Sequence, residues 1–159
     1  MSSRLLQKHR GSAACSACPA NSISNNTSTA LTDCKCNMGF TGEDGGQCNA
    51  CNVNLYKNTV GSAICSACPV NSVSLMASTD LLNCQCKKGY YGADGGPCNA
   101  CYAQFYKDTI GSGNCSACPA NSVSQNASTA LQNCKCDSGY FGMDGGVCTE
   151  CAAGSYKET

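Results

Sequence analysis

Residues 65–101 read CSACPVNSVSLMASTDLLNCQCKKGYYGADGGPCNAC, and this stretch decides the fold. Its six cysteines recur with the same spacing 50 residues earlier and 50 residues later. The three sets stand at positions 15, 18, 34, 36, 48 and 51; 65, 68, 84, 86, 98 and 101; and 115, 118, 134, 136, 148 and 151. A repeat without insertion or deletion predicts one small unit arranged in series.

The chain of 159 residues contains 18 cysteines, a proportion typical of a disulfide scaffold. It has no tryptophan and only three phenylalanines, so large apolar side chains are too few for a conventional core. Small loop-rich units of this kind depend on cross-links or on bound metal for stability. Cysteine chemistry is therefore expected to dominate the fold.

The charge pattern excludes several classes of partner. The formal net charge is zero and the Lys and Arg residues are scattered, which argues against binding of nucleic acid or of an anionic membrane surface. No apolar run approaches the roughly 20 residues of a transmembrane helix. The N-terminal MSSRLLQKHR lacks the apolar centre of a secretory signal. If the protein is exported, its signal is expected to be missing from this chain or to lie upstream of it.

The 50-residue period predicts a divergent segment, 1–10, followed by three cysteine-rich repeats at 11–60, 61–110 and 111–159, of which the last is truncated. Both ends of the chain are out of phase with the period. The simplest interpretation is a fragment of a longer repeat protein.

Ser, Thr, Asn and Gly dominate between the cysteines, so helices are not expected and turns should be frequent. Short strands are expected at 71–74 and around 90–91. The Asp-Gly-Gly triplets at 44–46, 94–96 and 144–146 each predict a tight turn, because glycine adopts a positive φ without penalty.

Two kinds of cysteine chemistry other than disulfide formation can be weighed. A redox enzyme carries one C-x-x-C at the start of a helix in a βαβ fold, whereas this chain has six such pairs and no βαβ pattern, so no catalytic or cofactor-binding residue is expected. An intracellular zinc-binding array is the main alternative, because Cys48, Cys51, Cys65 and Cys68 have the spacing C-x2-C-x13-C-x2-C. That set leaves the C-x-C cysteines without a role, and the single histidine, His9, lies in the divergent segment. No metal ligand is therefore expected.

Disulfides account for every spacing. In an extended segment, residues i and i+2 project to the same face with Cα atoms near the upper limit for a bridge, so the two cysteines of each C-x-C are expected to have separate partners. Closing three loops of about 15 residues contributes about 9 kcal/mol per repeat, which is comparable with the net stability of a whole domain. The cross-links would replace the missing core, and they require an oxidising compartment.

The stretch from Cys84 to Cys98 resembles the C-terminal loop of an EGF-like module, C-x-C-x-x-G-aromatic-x-G followed by a further cysteine. The segment from Cys101 to Pro119 resembles the first loop of tumour-necrosis-factor-receptor repeats. The combined order is similar to the cysteine-rich region of Eph receptors, the tyrosine-protein kinase ephrin type A/B receptor-like repeats. The likeness covers nearly all of residues 11–157.

This resemblance implies a small disulfide-rich fold, in which tandem EGF-like and TNF-receptor-like repeats form an elongated rod with short β-hairpins and little other regular structure. It implies an extracellular or cell-surface setting and a non-enzymatic role as a structural spacer or a protein-interaction module. The expected partner is a protein ligand or a neighbouring repeat. Kinase motifs are absent, and ephrin binding resides in a separate domain of that family, so neither property is carried over. The sequence leaves open whether the parent protein is secreted or membrane-anchored.

Six cysteines allow 15 connectivities, and sequence alone does not choose among them. An EGF-type crossing would join Cys51 with Cys68 and Cys65 with Cys84. We favour sequential local loops instead, which predict the pairs Cys18–Cys34, Cys36–Cys48, Cys51–Cys65, Cys68–Cys84, Cys86–Cys98, Cys101–Cys115, Cys118–Cys134 and Cys136–Cys148.

Asn25, Asn26 and Asn126 begin N-glycosylation triplets, and Asn114-Cys-Ser is a poorer one because cysteine stands in its middle. The single aspartate of each Asp-Gly-Gly is interpreted as a turn residue, since calcium requires six or more oxygen ligands. The recurring aromatic residues are expected to pack on neighbouring disulfides. Residues that differ between repeats are better candidates for contact with a partner, namely Leu75, Met76, Lys87 and Lys88.

The sequential scheme makes a prediction about free thiols, because it leaves only Cys15 and Cys151 without a partner in this chain. Protein purified under non-reducing conditions should contain about two free thiols, and its intact mass should be lower by about two units for each disulfide. A zinc array would instead add mass that a chelator removes. A thiol count well above two would contradict the scheme.

Overall fold

The computed structural model describes residues 15–158, so the predicted divergent segment 1–10 lies outside the described residues. The described part is built of strands of two residues each, and its helices are three single 3₁₀ turns, Leu31–Asp33, Leu81–Asn83 and Leu131–Asn133. The strands are β1 (Ser22–Ile23), β2 (Lys35–Cys36), β3 (Phe40–Thr41), β4 (Asn49–Ala50), β5 (Leu55–Tyr56), β6 (Ser66–Ala67), β7 (Ser72–Val73), β8 (Gln85–Cys86), β9 (Tyr90–Tyr91), β10 (Asn99–Ala100), β11 (Phe105–Tyr106), β12 (Ser116–Ala117), β13 (Ser122–Val123), β14 (Lys135–Cys136), β15 (Tyr140–Phe141) and β16 (Thr149–Glu150).

Each strand pairs in an antiparallel hairpin with its neighbour in the chain, and the pairs repeat with the cysteines. In the central unit, Tyr56 faces Ser66, Ser72 faces Cys86 and Tyr90 faces Ala100. The hairpin β5–β6 crosses position 60/61, so the boundary between predicted repeats stays a prediction. The predicted fold class, disulfide-rich with short hairpins, is confirmed, and strands occur at both stretches where the sequence indicated them.

The 3₁₀ turns are held by a side chain at their last residue. Asn83 accepts hydrogen bonds through Oδ1 from the backbone N–H groups of Thr79 and Asp80, at 3.0 and 2.9 Å. Asp33 and Asn133 accept the same pair of bonds in the other repeats. These bonds from backbone N–H groups lower the pKa of Asp33. Each fixed turn directly precedes a C-x-C, so it determines where the first cysteine of that motif lies.

The Asp-Gly-Gly triplets form the predicted turns. The first glycine of each has a positive φ, 78° at Gly45, 75° at Gly95 and 76° at Gly145. The backbone N–H of Gly95 donates to the carbonyl of Cys84 at 2.8 Å, and Gly45 and Gly145 make the equivalent bond at 2.7 Å. The turn is therefore tied to the C-x-C of its own unit.

Adjacent units meet at a joint between glycine and alanine backbones. The N–H of Gly89 donates to the carbonyl of Lys107 at 2.8 Å, and the carbonyl of Gly89 accepts from Cys101 at 2.8 Å. A Cβ on Gly89 would lie 2.3 Å from the carbonyl oxygen of Ala127. The joint one period earlier brings Gly39 equally close to Ala77. Only a residue without a side chain allows this approach.

A buried lysine lies beside each joint. Lys57 is 2% exposed, and its Nζ donates to the carbonyl of Gly61 at 2.7 Å. Lys107 is equally buried and donates to the carbonyls of Thr109 and Gly111, both at 2.8 Å. Burial lowers the pKa of both lysines, while nearby aspartates act in the opposite direction. The ammonium group of each lysine is withdrawn from water and binds carbonyl groups of the loop that follows it. These hydrogen bonds hold the loops 57–61 and 107–111 in place.

The backbone hydrogen bonds of the described residues join parts of the chain that are near each other in sequence. Within residues 15–158, the longest hydrogen bonds span 26 positions, such as the one from the N–H of Ala77 to the carbonyl of Cys51. Units arranged in series, each touching the next, have this property. No helix among the described residues is long and apolar enough to cross a membrane.

The joint can be tested with Gly89→Ala and the matched variant Gly139→Ala. Both glycines have φ near 80°, but a Cβ at Gly139 meets nothing within 4 Å. G139A should therefore cost only the strain of left-handed backbone, about 1–2 kcal/mol. G89A should cost about 1–3 kcal/mol more, because the joint must open. Denaturant unfolding of the oxidised proteins measures the difference, and equal losses would show that the joint is not closely packed.

Candidate functional site

The described residues contain eight disulfides, and each joins two cysteines that are consecutive in the sequence. Their Cα–Cα distances lie between 5.4 and 5.9 Å, which is ordinary disulfide geometry. The pairs are Cys18–Cys34, Cys36–Cys48, Cys51–Cys65, Cys68–Cys84, Cys86–Cys98, Cys101–Cys115, Cys118–Cys134 and Cys136–Cys148. Cys15 and Cys151 are free in the described part of the chain.

These cysteines are the core. Every hydrophobic side chain that is buried in the described residues belongs to a cysteine, and six of them are almost wholly enclosed. Most leucine, isoleucine, valine and methionine side chains are exposed instead, and Leu75 is 81% exposed. The apolar contact of each unit is therefore supplied by sulfur and by the chain packed around it.

The geometry does not support the zinc interpretation. Of the four cysteines with zinc spacing, Cys51 and Cys65 are bonded to each other, while Cys48 and Cys68 are bonded to cysteines outside the set. None of them retains the thiolate that a zinc ligand must be. In the described residues no group of three His, Cys, Asp or Glu side chains converges on one point.

The C-x-x-C motifs also differ from those of a redox enzyme. Such an enzyme forms its disulfide between the two cysteines of one motif. Here Cys65 and Cys68 belong to different loops, which close at Cys51 and at Cys84. The motif is thus a junction between two loops.

The aspartate turns carry one polar contact each in the first two units. Lys35 Nζ lies 2.7 Å from Asp44 Oδ2, and Gln85 Nε2 lies 3.4 Å from Asp94 Oδ2. The interpretation of these aspartates as turn residues stays a prediction.

The candidate glycosylation sites differ in accessibility. Asn25 and Asn26 are exposed, and so are the hydroxyl residues of their triplets. Asn126 is exposed too, but its Oδ1 accepts a bond from the N–H of Ala103 at 2.7 Å. Ser128, which completes that triplet, is only 7% exposed and donates to the carbonyl of Gln125. Their use as glycosylation sites stays a prediction.

The residues that vary between repeats do not all come together. Leu75 and Met76 line one shallow cleft with Leu82 and Ile110. Lys87 and Lys88 are exposed but do not line that cleft. Of the recurring tyrosines, Tyr56 and Tyr106 are half-buried and Tyr156 is exposed, so their packing on disulfides stays a prediction.

Three features were not predicted from the sequence. The joint at Gly89, the buried Lys107 and a surface cluster of aromatic residues around Tyr102 appear only in the structure. The recurrence of Tyr-Lys at 56–57, 106–107 and 156–157 was the available signal for the lysine.

Residues 39–84 match the family model described as tyrosine-protein kinase ephrin type A/B receptor-like. This match, together with the disulfides, fits a cysteine-rich ephrin receptor-like repeat in this segment. The resemblance seen in the sequence is thereby confirmed for this segment. The matched segment begins at Gly39, which lies at a joint, and ends at Cys84, the first cysteine of a C-x-C. Residues 89–134 have the same cysteine spacing one period later. A comparison with curated protein sequences gives no match.

The pairing can be tested with two double variants. Cys51→Ser/Cys65→Ser should remove one bridge without adding free thiols, and it should lose about 3 kcal/mol of stability, the value of closing one loop of this length. Cys51→Ser/Cys68→Ser should instead add two free thiols, from Cys65 and Cys84. Thiol titration of the denatured, non-reduced proteins distinguishes the schemes, because the EGF-type crossing predicts the opposite result for each variant.

Proposed function

We propose that this chain is a non-enzymatic, extracellular module of a larger protein, in which the repeats space and present faces that bind a protein partner. The parent protein is a secreted or surface-anchored one. The family match and the disulfide framework support the extracellular setting.

The observation that carries the proposal is the disulfide core. Because the buried apolar side chains of the described residues are cysteines, reduction would break the cross-links that hold the interior of every unit together. A fold of this kind persists only where thiols stay oxidised. It also suits exposure to proteases, because a cut within a closed loop does not release either end.

The spacing role is supported by the equal geometry of the two joints, at Gly39 and at Gly89. The bond from Gly39 N–H to the carbonyl of Lys57 measures 2.9 Å, and its counterpart from Gly89 to Lys107 measures 2.8 Å. The Cβ distances at the two joints are also equal, at 2.3 Å. Identical joints place successive units by the same displacement, so faces one period apart are held at constant separation.

The binding role is supported by the variable surface of the second repeat. Leu75, Met76 and Leu82 are all exposed on one cleft. The residues one period later are Gln125, Asn126 and Gln132, which are polar. An apolar face present in one repeat and absent from the next distinguishes that repeat as the place where a protein partner would bury surface.

Deletion of one whole period tests the spacer. Removal of residues 61–110 rejoins Val60 to Gly111, leaves Cys51 to pair with Cys115 and keeps five disulfides. The shortened protein should stay folded, and its maximum dimension in small-angle X-ray scattering should fall by roughly a third.

The matched control removes residues 61–85, half a period. This deletion takes out three cysteines and puts the remaining ones out of phase, so it should give mixed disulfides and lose the ordered fold. A full-period variant whose maximum dimension does not change would contradict a role in spacing.

A further inference from the structure

We propose that Asn114 carries an N-linked glycan whose first sugar ring packs on an aromatic cluster formed by Tyr91, Tyr102 and Phe105. This inference rests on the proposed function, because the glycan is added only in a secretory pathway. In the modification, Nδ2 of Asn114 bonds to the anomeric carbon of the sugar, the bond from that carbon to a lipid-pyrophosphate carrier breaks, and the amide loses one proton.

The disulfide Cys101–Cys115 brings the acceptor to the cluster. Tyr102 directly follows Cys101 and Asn114 directly precedes Cys115, and the Cα atoms of the two cysteines are 5.9 Å apart. A turn then places Phe105 near Tyr102, since the N–H of Phe105 donates to the carbonyl of Tyr102 at 3.1 Å.

Tyr91 comes from the preceding hairpin, and the four side chains line one shallow cleft of about 210 Å³ together with Cys115. This volume is below the range of about 300–1,000 Å³ that encloses a small-molecule ligand. The cleft therefore suits a single ring laid on its surface better than a ligand buried inside it.

The surface of the cleft matches a sugar in chemistry. Tyr102 is 70% exposed and Phe105 is 39% exposed, so both rings present apolar surface that a sugar ring would cover. No charged residue lines the cleft. One face of an N-acetylglucosamine ring presents C–H groups, which pack on aromatic rings, while its hydroxyl groups stay in water.

The preceding unit is an internal comparison. Around its disulfide Cys51–Cys65, the positions of Tyr91, Tyr102, Phe105 and Asn114 are occupied by residues that are neither aromatic nor glycosylation acceptors: Thr41, Asn52, Leu55 and Ile64. The acceptor and the three rings thus occur together around the disulfide Cys101–Cys115, and all four are absent around the equivalent disulfide Cys51–Cys65.

The acceptor triplet is also accessible in the folded unit. Asn114 and Ser116 are both exposed, whereas the hydroxyl residue of the Asn126 triplet is buried. The middle cysteine makes the triplet poor by sequence, but Cys115 is bonded to Cys101, and both of its neighbours, Asn114 and Ser116, are exposed.

The experiment expresses the 159-residue chain behind a secretion signal in cultured eukaryotic cells and maps occupied asparagines by glycopeptide mass spectrometry. We expect Asn114 to be occupied and Ser116→Ala to abolish its occupancy. The S116A protein should also melt about 2–4 °C lower, because the packing of the sugar on the rings is lost.

The variant Tyr102→Asn/Phe105→Leu tests whether the sugar packs on the rings or is only attached to Asn114. It replaces two of the rings with the residues of the preceding unit. In this background Asn114 should remain occupied, but S116A should no longer change the melting temperature. The same four proteins from a bacterial periplasm, which adds no such glycan, should show no effect of S116A in either background.

Three results would overturn the inference. Secreted, fully oxidised protein with an empty Asn114 would overturn it while leaving the proposed function intact, and the aromatic cluster would then be available to a protein partner. An occupied Asn114 with the same effect of S116A in both backgrounds would exclude packing on the rings. Failure of the chain to be secreted in an oxidised form would overturn both the inference and the extracellular function.

Discussion

The structure depends on the oxidation of cysteine. In most domains of this length, burial of leucine, isoleucine and phenylalanine offsets the loss of chain entropy. Here most of the large apolar side chains are exposed, and the buried apolar side chains of the described residues are half-cystines. The bridges act largely by restricting the unfolded chain, so stability does not require a large buried area. The surface is consequently free to vary from one repeat to the next.

Two disulfides, Cys51–Cys65 and Cys101–Cys115, bridge neighbouring repeats, and contacts between backbone groups add to them. At each joint a glycine with φ of 79° lies against the carbonyl of an alanine that itself has φ of 59°. A neighbouring lysine, withdrawn from water, binds carbonyl groups of the adjoining loop. Backbone contacts do not depend on which side chains a repeat displays, so the same joint serves units with different surfaces. The contrast between Leu75 in one repeat and Gln125 in the next shows this freedom.

Much of this architecture could be predicted from the sequence, because cysteine spacing constrains short loops strongly. The C-x-C geometry indicated separate partners for Cys84 and Cys86, and the Asp-Gly-Gly triplets indicated turns with positive φ. The joints could not be predicted, since Gly89 and Ala127 are 38 positions apart and neither carries a chemical signature of contact. The aromatic cluster was missed for a related reason: Tyr91, Tyr102 and Asn114 are scattered in sequence and meet only when the loop at Cys101 is closed.

Closed loops also determine how the chain would respond to a pulling force. In each period, only the connections Cys65–Cys68, Cys84–Cys86 and Cys98–Cys101 lie outside a loop, so tension passes from one bridge to the next through covalent sulfur bonds. A fully stretched oxidised period would reach roughly 45 Å, against roughly 175 Å for the same 50 residues without bridges. The chain is therefore a nearly inextensible tether whose length is set by covalent chemistry, and a reducing agent would convert it into a compliant one.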